Sequence, residues 1–198
     1  MKKSVVIIGK GPSVQRCTKE FIDSFNEVAI CNRPLFDGYE HLISNRAHYD
    51  FITNDIHQRK YTEEFKEKLG IIETIYTGDD SILRKNFEFK ELDPSTGTLA
   101  LQYFIDSGDY SHIALVGFDL FEVDKKVYYF NLKEVIQPLI YLFENGTYDK
   151  DLKILKASGH STSLTYEYMC HTFKKNSNIK FTLITNYPFE AGSNVEVR

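Results

Sequence analysis

Tryptophan is absent from this 198-residue chain, cysteine occurs three times and proline five times. Without Trp, the bulk of a core must come from Phe and Tyr, which number 15 and 13. Cys17, Cys31 and Cys170 are odd in number and lack paired spacing, which argues against a disulfide framework or a zinc knuckle and predicts a cytoplasmic protein. Basic charge is also short: 24 Lys and Arg against 28 Asp and Glu leave a formal net charge of −4. That balance disfavours nucleic acid as a partner, because non-specific binding needs basic surface to displace phosphate counterions. A local basic pocket for one small anion stays open. No apolar run approaches the roughly 20 residues that span a bilayer. The apolar start, residues 5–8, falls short of the roughly 7–15 residues of a signal-peptide core and runs into Gly9-Lys10-Gly11-Pro12, so it reads as a buried strand. Internal repeats and low-complexity tracts are missing too. What is present, 42% hydrophobic and 26% charged residues, is the balance of a globular chain of one domain spanning 1–198.

Apolar runs alternate with amphipathic or polar segments along the chain. Strands are predicted over 4–8, 27–32, 48–54, 71–76, 112–119 and 179–184. Helices are predicted over 61–69, 98–105 and from 161 to about 174, with Ser107-Gly108-Asp109 stopping the second. A looser, charge-rich stretch fills 78–92. Continuous apolar runs separated by helices point to the α/β class, a doubly wound parallel sheet with short right-handed connections. Residues 122–157 break the alternation, with a hairpin-like piece at 123–130 and an amphipathic piece at 132–143 interrupted by Pro138. They read as a small lid-like insertion over the carboxyl edge of the sheet.

Ligands of open parallel sheets bind beyond the carboxyl ends of the strands. Polar clusters fall at those ends or at helix starts: Gly9-Lys10-Gly11-Pro12-Ser13, Asn32, Asn54, Ser95-Thr96-Gly97, Asp119 and Gly159-His160-Ser161. Two glycine-containing turns at helix starts offer N–H groups and positive dipole ends, which suit a phosphate, so the joint pattern suggests a nucleotide. Each piece has a plainer reading. Gly9 to Ser13 lacks the third glycine of a dinucleotide fingerprint and the Lys placement of a Walker loop, and can be a tight turn capped by Ser13. Asn32 and Asn54 can be ordinary strand terminators, and Ser95 a helix cap. His160, after a glycine and before a helix, can be a surface or capping histidine, or an imidazole that accepts a proton at neutral pH. No histidine has a partner spaced for a metal site. Cys31 and Cys170 read as core residues.

In these pieces the chain resembles the bacterial sialyltransferases of glycosyltransferase family 42, the lipooligosaccharide type. The similarity rests on residues 6–13, Cys31-Asn32, Asn54, Ser95-Thr96-Gly97, Val116-Gly117-Phe118-Asp119 and Gly159-His160-Ser161, in family order and over nearly the whole length. Pro94-Ser95-Thr96-Gly97 is also similar to the small sialylmotif of animal sialyltransferases. The resemblance implies a Rossmann-like domain, a variant of the GT-A fold, and an inverting, metal-independent transfer of sialic acid or a related acidic sugar from a CMP-activated donor to a glycan acceptor. CMP-sugar is a substrate in that scheme, and no cofactor or metal is expected. His160 becomes the general base, with Tyr128 and Tyr129 as candidates for donors to the departing phosphate. Gly9, Lys10, Gly11, Pro12, Ser13, Asn32, Asn54, Ser95, Thr96, Gly97, Asp119 and Phe121 line the nucleotide. The resemblance further implies lipooligosaccharide or capsule biosynthesis in a bacterium, and it admits peripheral membrane association and a homo-oligomer.

Three positions depart from the family pattern. Lys10 replaces an Asn, Asp93 replaces an Arg that in relatives precedes the Ser-Thr-Gly equivalent, and Phe121 replaces a lid tyrosine. A lost phosphate donor costs about 10²–10³ in rate. The departures motivate an alternative reading, a catalytically weak CMP-binding or nucleotide-binding module of a glycan-synthesis complex. A pyrophosphokinase or a dehydrogenase is disfavoured, since Asn32 stands where a ribose-binding acid belongs.

Overall fold

The computed structural model describes residues 2–32, 38–53, 62–120 and 161–198. Within them the strands are β1 (Lys3–Ile8), β2 (Glu27–Cys31), β3 (Tyr49–Ile52), β4 (Glu73–Tyr76), β5 (Tyr110–Val116), β6 (Lys180–Ile184) and β7 (Val195–Val197). They form one seven-stranded sheet in the order β4-β3-β2-β1-β5-β6-β7, and every neighbouring pair is parallel. The chain therefore winds outward from β1 in one direction, returns to β5 on the other side of β1, and winds outward again. This is the doubly wound, Rossmann-like sheet expected from the alternation.

Helices α1 (Lys19–Asp23), α2 (Glu40–Ile43) and α3 (Thr62–Leu69) and a 3-10 turn (Pro12–Arg16) connect β1 to β4; α4 (Ile82–Lys85) and α5 (Thr96–Ser107) lead to β5, and α6 (Thr162–Lys175) precedes β6. Alternate residues of the central strands face opposite layers, as the two-residue period of a strand requires. Val5, Ile7, Leu115 and Phe181 meet Leu99 and Phe104 of α5 and Met169 and Phe173 of α6. Val6, Ile8, Ala114 and Val116 meet Val14, Ile22 and Phe25 on the other side. Val5 to Ile8 are all fully buried, which explains why β1 reads as an unbroken apolar run rather than an alternation. Phe104 packs edge-on against Tyr49, Phe51 and Tyr110 at centroid distances of 5.3, 5.6 and 5.0 Å, so truncating it to Ala costs about 3–5 kcal/mol.

Ladder register brings the strand ends level, with Ile8 opposite both Ile30 and Val116, and Val116 opposite Ile184. The loops after β1, β2, β5 and β6 thus leave the sheet side by side. Between β1 and β5 the order of the sheet reverses, and that reversal opens the crevice in which such sheets bind ligands.

Several boundaries differ from the sequence reading. The strand predicted over 112–119 ends at Val116, because Gly117 turns to φ +76 and puts Phe118 and Asp119 in a loop. The strand predicted over 27–32 ends at Cys31, with Asn32 at φ +51. β7 was not foreseen: a three-residue edge strand paired only with β6 gives too short a pattern to read. α2 and α4, each four residues long, escaped for the same reason. The insertion predicted at 122–157 lies outside the described residues. No described helix is long and apolar enough to cross a membrane. All three cysteines are free; Cys17 and Cys31 are buried, and burial pushes the Cys31 thiol up to about 12, so it behaves as core.

Candidate functional site

The first residue after each strand is informative. β1 and β5, which flank the reversal, end in Gly9 and Gly117; β2, β3, β4 and β6 end in Asn32, Thr53, Thr77 and Thr185. Glycines let the two inner loops touch. A Cβ on Gly11 would collide with the Asp119 carboxylate and stand 2.6 Å from the Gly117 carbonyl, so only glycine permits this approach.

Three N–H groups of the Gly9–Ser13 turn, and the one that follows it, bond inside the protein. Gly9 N–H donates to Val116 O (2.8 Å), Gly11 N–H to Gly117 O (3.0 Å), Val14 N–H to Gly11 O (3.1 Å) and Ser13 N–H to Asp119 Oδ2 (2.8 Å). Pro12 has no N–H. Ser13 does not cap the turn; fully buried, its hydroxyl donates to the Ile184 carbonyl at 3.0 Å. The capping group is Asp119, whose Oδ1 also accepts the Asn186 N–H (2.6 Å) and the Thr185 hydroxyl (3.3 Å). Asp119 is therefore a fastener between the loops after β1, β5 and β6. Lys10 is the group of this turn that brings charge, and its Nζ donates to the Asn32 carbonyl at 3.3 Å.

Across the crevice, one amide ties the ends of β2 and β3 to helix α5. Asn32 occupies the left-handed region, which Asn tolerates better than most residues. Its Nδ2 donates to Thr96 Oγ1 (3.0 Å), and its Oδ1 accepts the N–H (3.0 Å) and hydroxyl (3.1 Å) of Thr53. Thr77 Oγ1 donates to Ile52 O (3.0 Å) and lies 3.5 Å from Thr96 Oγ1. Ser95 caps α5 as its position predicted, accepting the Thr98 N–H at 3.2 Å. The first-turn N–H groups of Thr96 and Gly97 have no intrahelical acceptor, as at every helix start. Gly97 is glycine because the Phe118 ring lies where its Cβ would be, at 2.7 Å.

Asp93 does not present a bare carboxylate. Arg84 of α4, with a side chain 17% exposed, pairs with it and also donates to Pro94 O (3.0 Å) and Thr77 O (3.4 Å). A guanidinium thus reaches the lead-in to α5 from another segment, and it neutralises the acid that the sequence placed there.

His48 and His112 stand at the opposite, amino edge of the sheet. His48 Nδ1 accepts the Val28 N–H (3.0 Å), and His112 Nε2 bonds Thr182 Oγ1 (2.9 Å) beside the Phe25 ring. Burial, with Arg46 adding to it at His48 and Lys180 at His112, holds both imidazoles below their ordinary pKa. Neither reaches the crevice. Among the described residues no group of three His, Cys, Asp or Glu side chains could hold a metal ion. Asn54, Phe121, Tyr128, Tyr129 and His160 lie outside the described residues. The sequence reading missed Thr53, Thr77, Arg84 and Thr185. The position just past a strand end would have found all but Arg84.

No protein-family model matches the chain, and neither does any curated protein. Solved structures do. A tyrosine-to-phenylalanine variant of the sialyltransferase CST-II in complex with CMP superposes with a TM-score of 0.68 at 16% identity, covering 93% of this chain and 81% of that one. CstII from Campylobacter jejuni in complex with a substrate analogue, cytidine-5'-monophosphate, gives 0.61 at 16% identity over 98% and 84%. CST-II in complex with a trisaccharide acceptor and CMP gives 0.58 at 16% identity over 92% and 81%. At this identity the likeness is one of fold: the chain has the Rossmann-like α/β architecture of these sialyltransferase structures.

Proposed function

We propose that the protein is a glycosyltransferase that binds a CMP-activated sugar at the carboxyl edge between β1 and β5 and transfers the sugar, with inversion and without a metal, to a glycan acceptor. The observation that carries this reading is the stitching of Lys10, Asn32, Thr53, Thr77 and Thr96 into one polar floor at the reversal of the sheet, in a fold shared with CMP-complexed sialyltransferases. Lys10 Nζ and the N–H groups of Thr96 and Gly97 hold the phosphate, a cation and a positive dipole end replacing the turn donors that Asp119 and the β5 loop occupy. The sugar is sialic acid or a related acidic sugar. Arg84 supports that choice, because pairing with Asp93 removes the repulsion a free carboxylate would exert on the sugar's own.

In the transfer, the acceptor oxygen attacks the anomeric carbon and forms the new glycosidic bond. The bond to phosphate oxygen breaks, and its electron pair leaves with CMP. The acceptor proton passes to His160. Tyr128 and Tyr129 donate to the departing phosphate, a service Phe121 cannot give for want of a hydroxyl. Asn54 is a further residue for the nucleotide. The protein acts as a single domain with residues 122–157 as its lid.

Transfer from CMP-sialic acid to a panel of oligosaccharides, with and without EDTA and with His160→Ala, tests the reading. Transfer that survives EDTA and falls at least a hundredfold in His160→Ala, with CMP binding intact, is the expected result. CMP affinity without turnover on any acceptor supports the nucleotide-binding module instead.

A further inference from the structure

The loop that leaves β5 at the reversal of the sheet carries the acid Asp119. Its half-buried carboxylate holds three hydrogen bonds, from the Ser13 N–H on Oδ2 (2.8 Å) and from the Asn186 N–H (2.6 Å) and the Thr185 hydroxyl (3.3 Å) on Oδ1. All three donors are neutral. They satisfy the oxygens and leave the negative charge in place.

Other acids of the fold are matched with cations. Arg84 pairs with Asp93, Lys19 and Arg46 with Asp23, and Lys3 with Glu27. Among the described residues no Lys, Arg or His side chain forms an ion pair with Asp119. Arg16 reaches the same loops, but its Nη1 donates to the Thr185 carbonyl at 2.8 Å and to Asn186 Oδ1 at 3.3 Å. Lys10 Nζ turns to the Asn32 carbonyl.

The carboxylate borders the proposed phosphate seat on two sides. Oδ2 lies over Gly11, the residue after Lys10, and Phe118, the residue before Asp119, lays its ring on Gly97. Arg84 bonds the end of β4, four strands from β5, which is about 19 Å at roughly 4.8 Å per strand. A sugar carboxylate at the Arg84 end is thus remote from Asp119, and a phosphate at Lys10 and Gly97 is not.

We infer that Asp119 is a specificity-determining residue that reads the charge of the bound phosphate, disfavouring the phosphomonoester of released CMP relative to the phosphodiester of the donor. This rests on the proposed binding of a CMP-activated sugar between β1 and β5. The donor phosphate carries one negative charge. When the bond to the sugar breaks, its electron pair stays on the phosphate oxygen, and the monoester left behind carries about 1.5–2 charges at neutral pH. Lys10 offsets one of them, and the added charge meets Asp119. A fixed charge acting over roughly 10 Å at a protein edge changes affinity about three- to tenfold per unit of ligand charge. The crevice therefore admits the donor and sheds the product.

The test uses the full chain and two probes, CMP and its phosphate methyl ester, a monoanion. Titration calorimetry gives both dissociation constants at about pH 8, where CMP is a dianion. Asp119→Asn keeps the shape and removes the charge; Asp119→Glu keeps the charge and changes the shape. The quantity read is Kd(CMP)/Kd(ester), in which a shared loss from a loosened loop or a partly folded variant cancels. In Asp119→Asn the ratio falls about three- to tenfold below wild type, and in Asp119→Glu it stays within twofold. A fall of less than twofold in Asp119→Asn overturns the inference. So does an equal fall in Asp119→Glu, which marks an effect of loop geometry rather than charge. Wild type that binds neither probe overturns the nucleotide reading and the inference with it. Absence of transfer with both probes bound counts against the transferase reading alone, because the ratio still decides the role of Asp119.

Discussion

Replacing Asp119 with asparagine tests the fastening of the crevice. Each carboxylate oxygen faces an N–H: Oδ2 the Ser13 N–H at 2.8 Å, Oδ1 the Asn186 N–H at 2.6 Å. An amide has one acceptor oxygen, so whichever way the substituted side chain turns, its NH2 confronts one of these donors. A charge-assisted bond becomes a neutral one, and a second becomes a donor-to-donor contact. At a half-buried site, losing such bonds costs about 2 kcal/mol. For a chain of this size that lowers Tm by about 4–8 °C. Ser13 and Gly11 shift away from the β5 loop at the same time, moving Lys10, and CMP affinity weakens roughly tenfold as about 1.4 kcal/mol of phosphate contact is lost. Differential scanning calorimetry and titration calorimetry with CMP give the two readouts. A Tm within 1 °C of wild type would show that the carboxylate does not hold these loops together. A changed CMP affinity with an unchanged Tm would make Asp119 a ligand to the nucleotide.

Arg84→Met removes the guanidinium that pairs with the Asp93 carboxylate, so the KM for CMP-sialic acid rises about tenfold while the Kd for CMP, which lacks the sugar carboxylate, changes less than twofold; adding Asp93→Asn to the variant restores the KM, and steady-state kinetics on the single and double variants check this. Stability falls on acidification below about pH 6.5. The depressed pKa values of His48 and His112 mean that the unfolded chain binds more protons in that window, so the urea midpoint drops as pH falls toward the folded pKa values. His48→Gln weakens this dependence, and a pH-independent midpoint between pH 7 and 5 in the wild type would contradict the burial of the two rings.

The central strands were legible because burial on both faces writes a continuous apolar run, and Val5 to Ile8 and Ile113 to Val116 are such runs. The capping of α5 by Ser95 was equally local. What the sequence concealed were the contacts made between distant segments. Nothing near Asp93 reveals that Arg84 reaches it, and nothing in Gly-Lys-Gly-Pro-Ser reveals that Asp119, more than a hundred residues on, has already taken the Ser13 N–H. The motif reads as an anion site because open N–H groups at a turn are the usual case, while here those of Gly9, Gly11 and Ser13 bond within the protein. Asn32 follows β2, and its amide is directed at Thr53 and Thr96, contacts that its own neighbours in sequence do not reveal. The threonines after β3, β4 and β6 were passed over since each is unremarkable alone; their meaning comes from the level register that aligns the strand ends.

A crystal structure of the full chain grown with CMP tests the central claim most directly. The account places the cytidylate over the carboxyl ends of β1 and β5, its phosphate within hydrogen-bonding reach of Lys10 Nζ and the N–H groups of Thr96 and Gly97, and the His160 ring on the side where the sugar leaves. Cytidylate bound elsewhere on the molecule, or a phosphate turned away from α5, would contradict it.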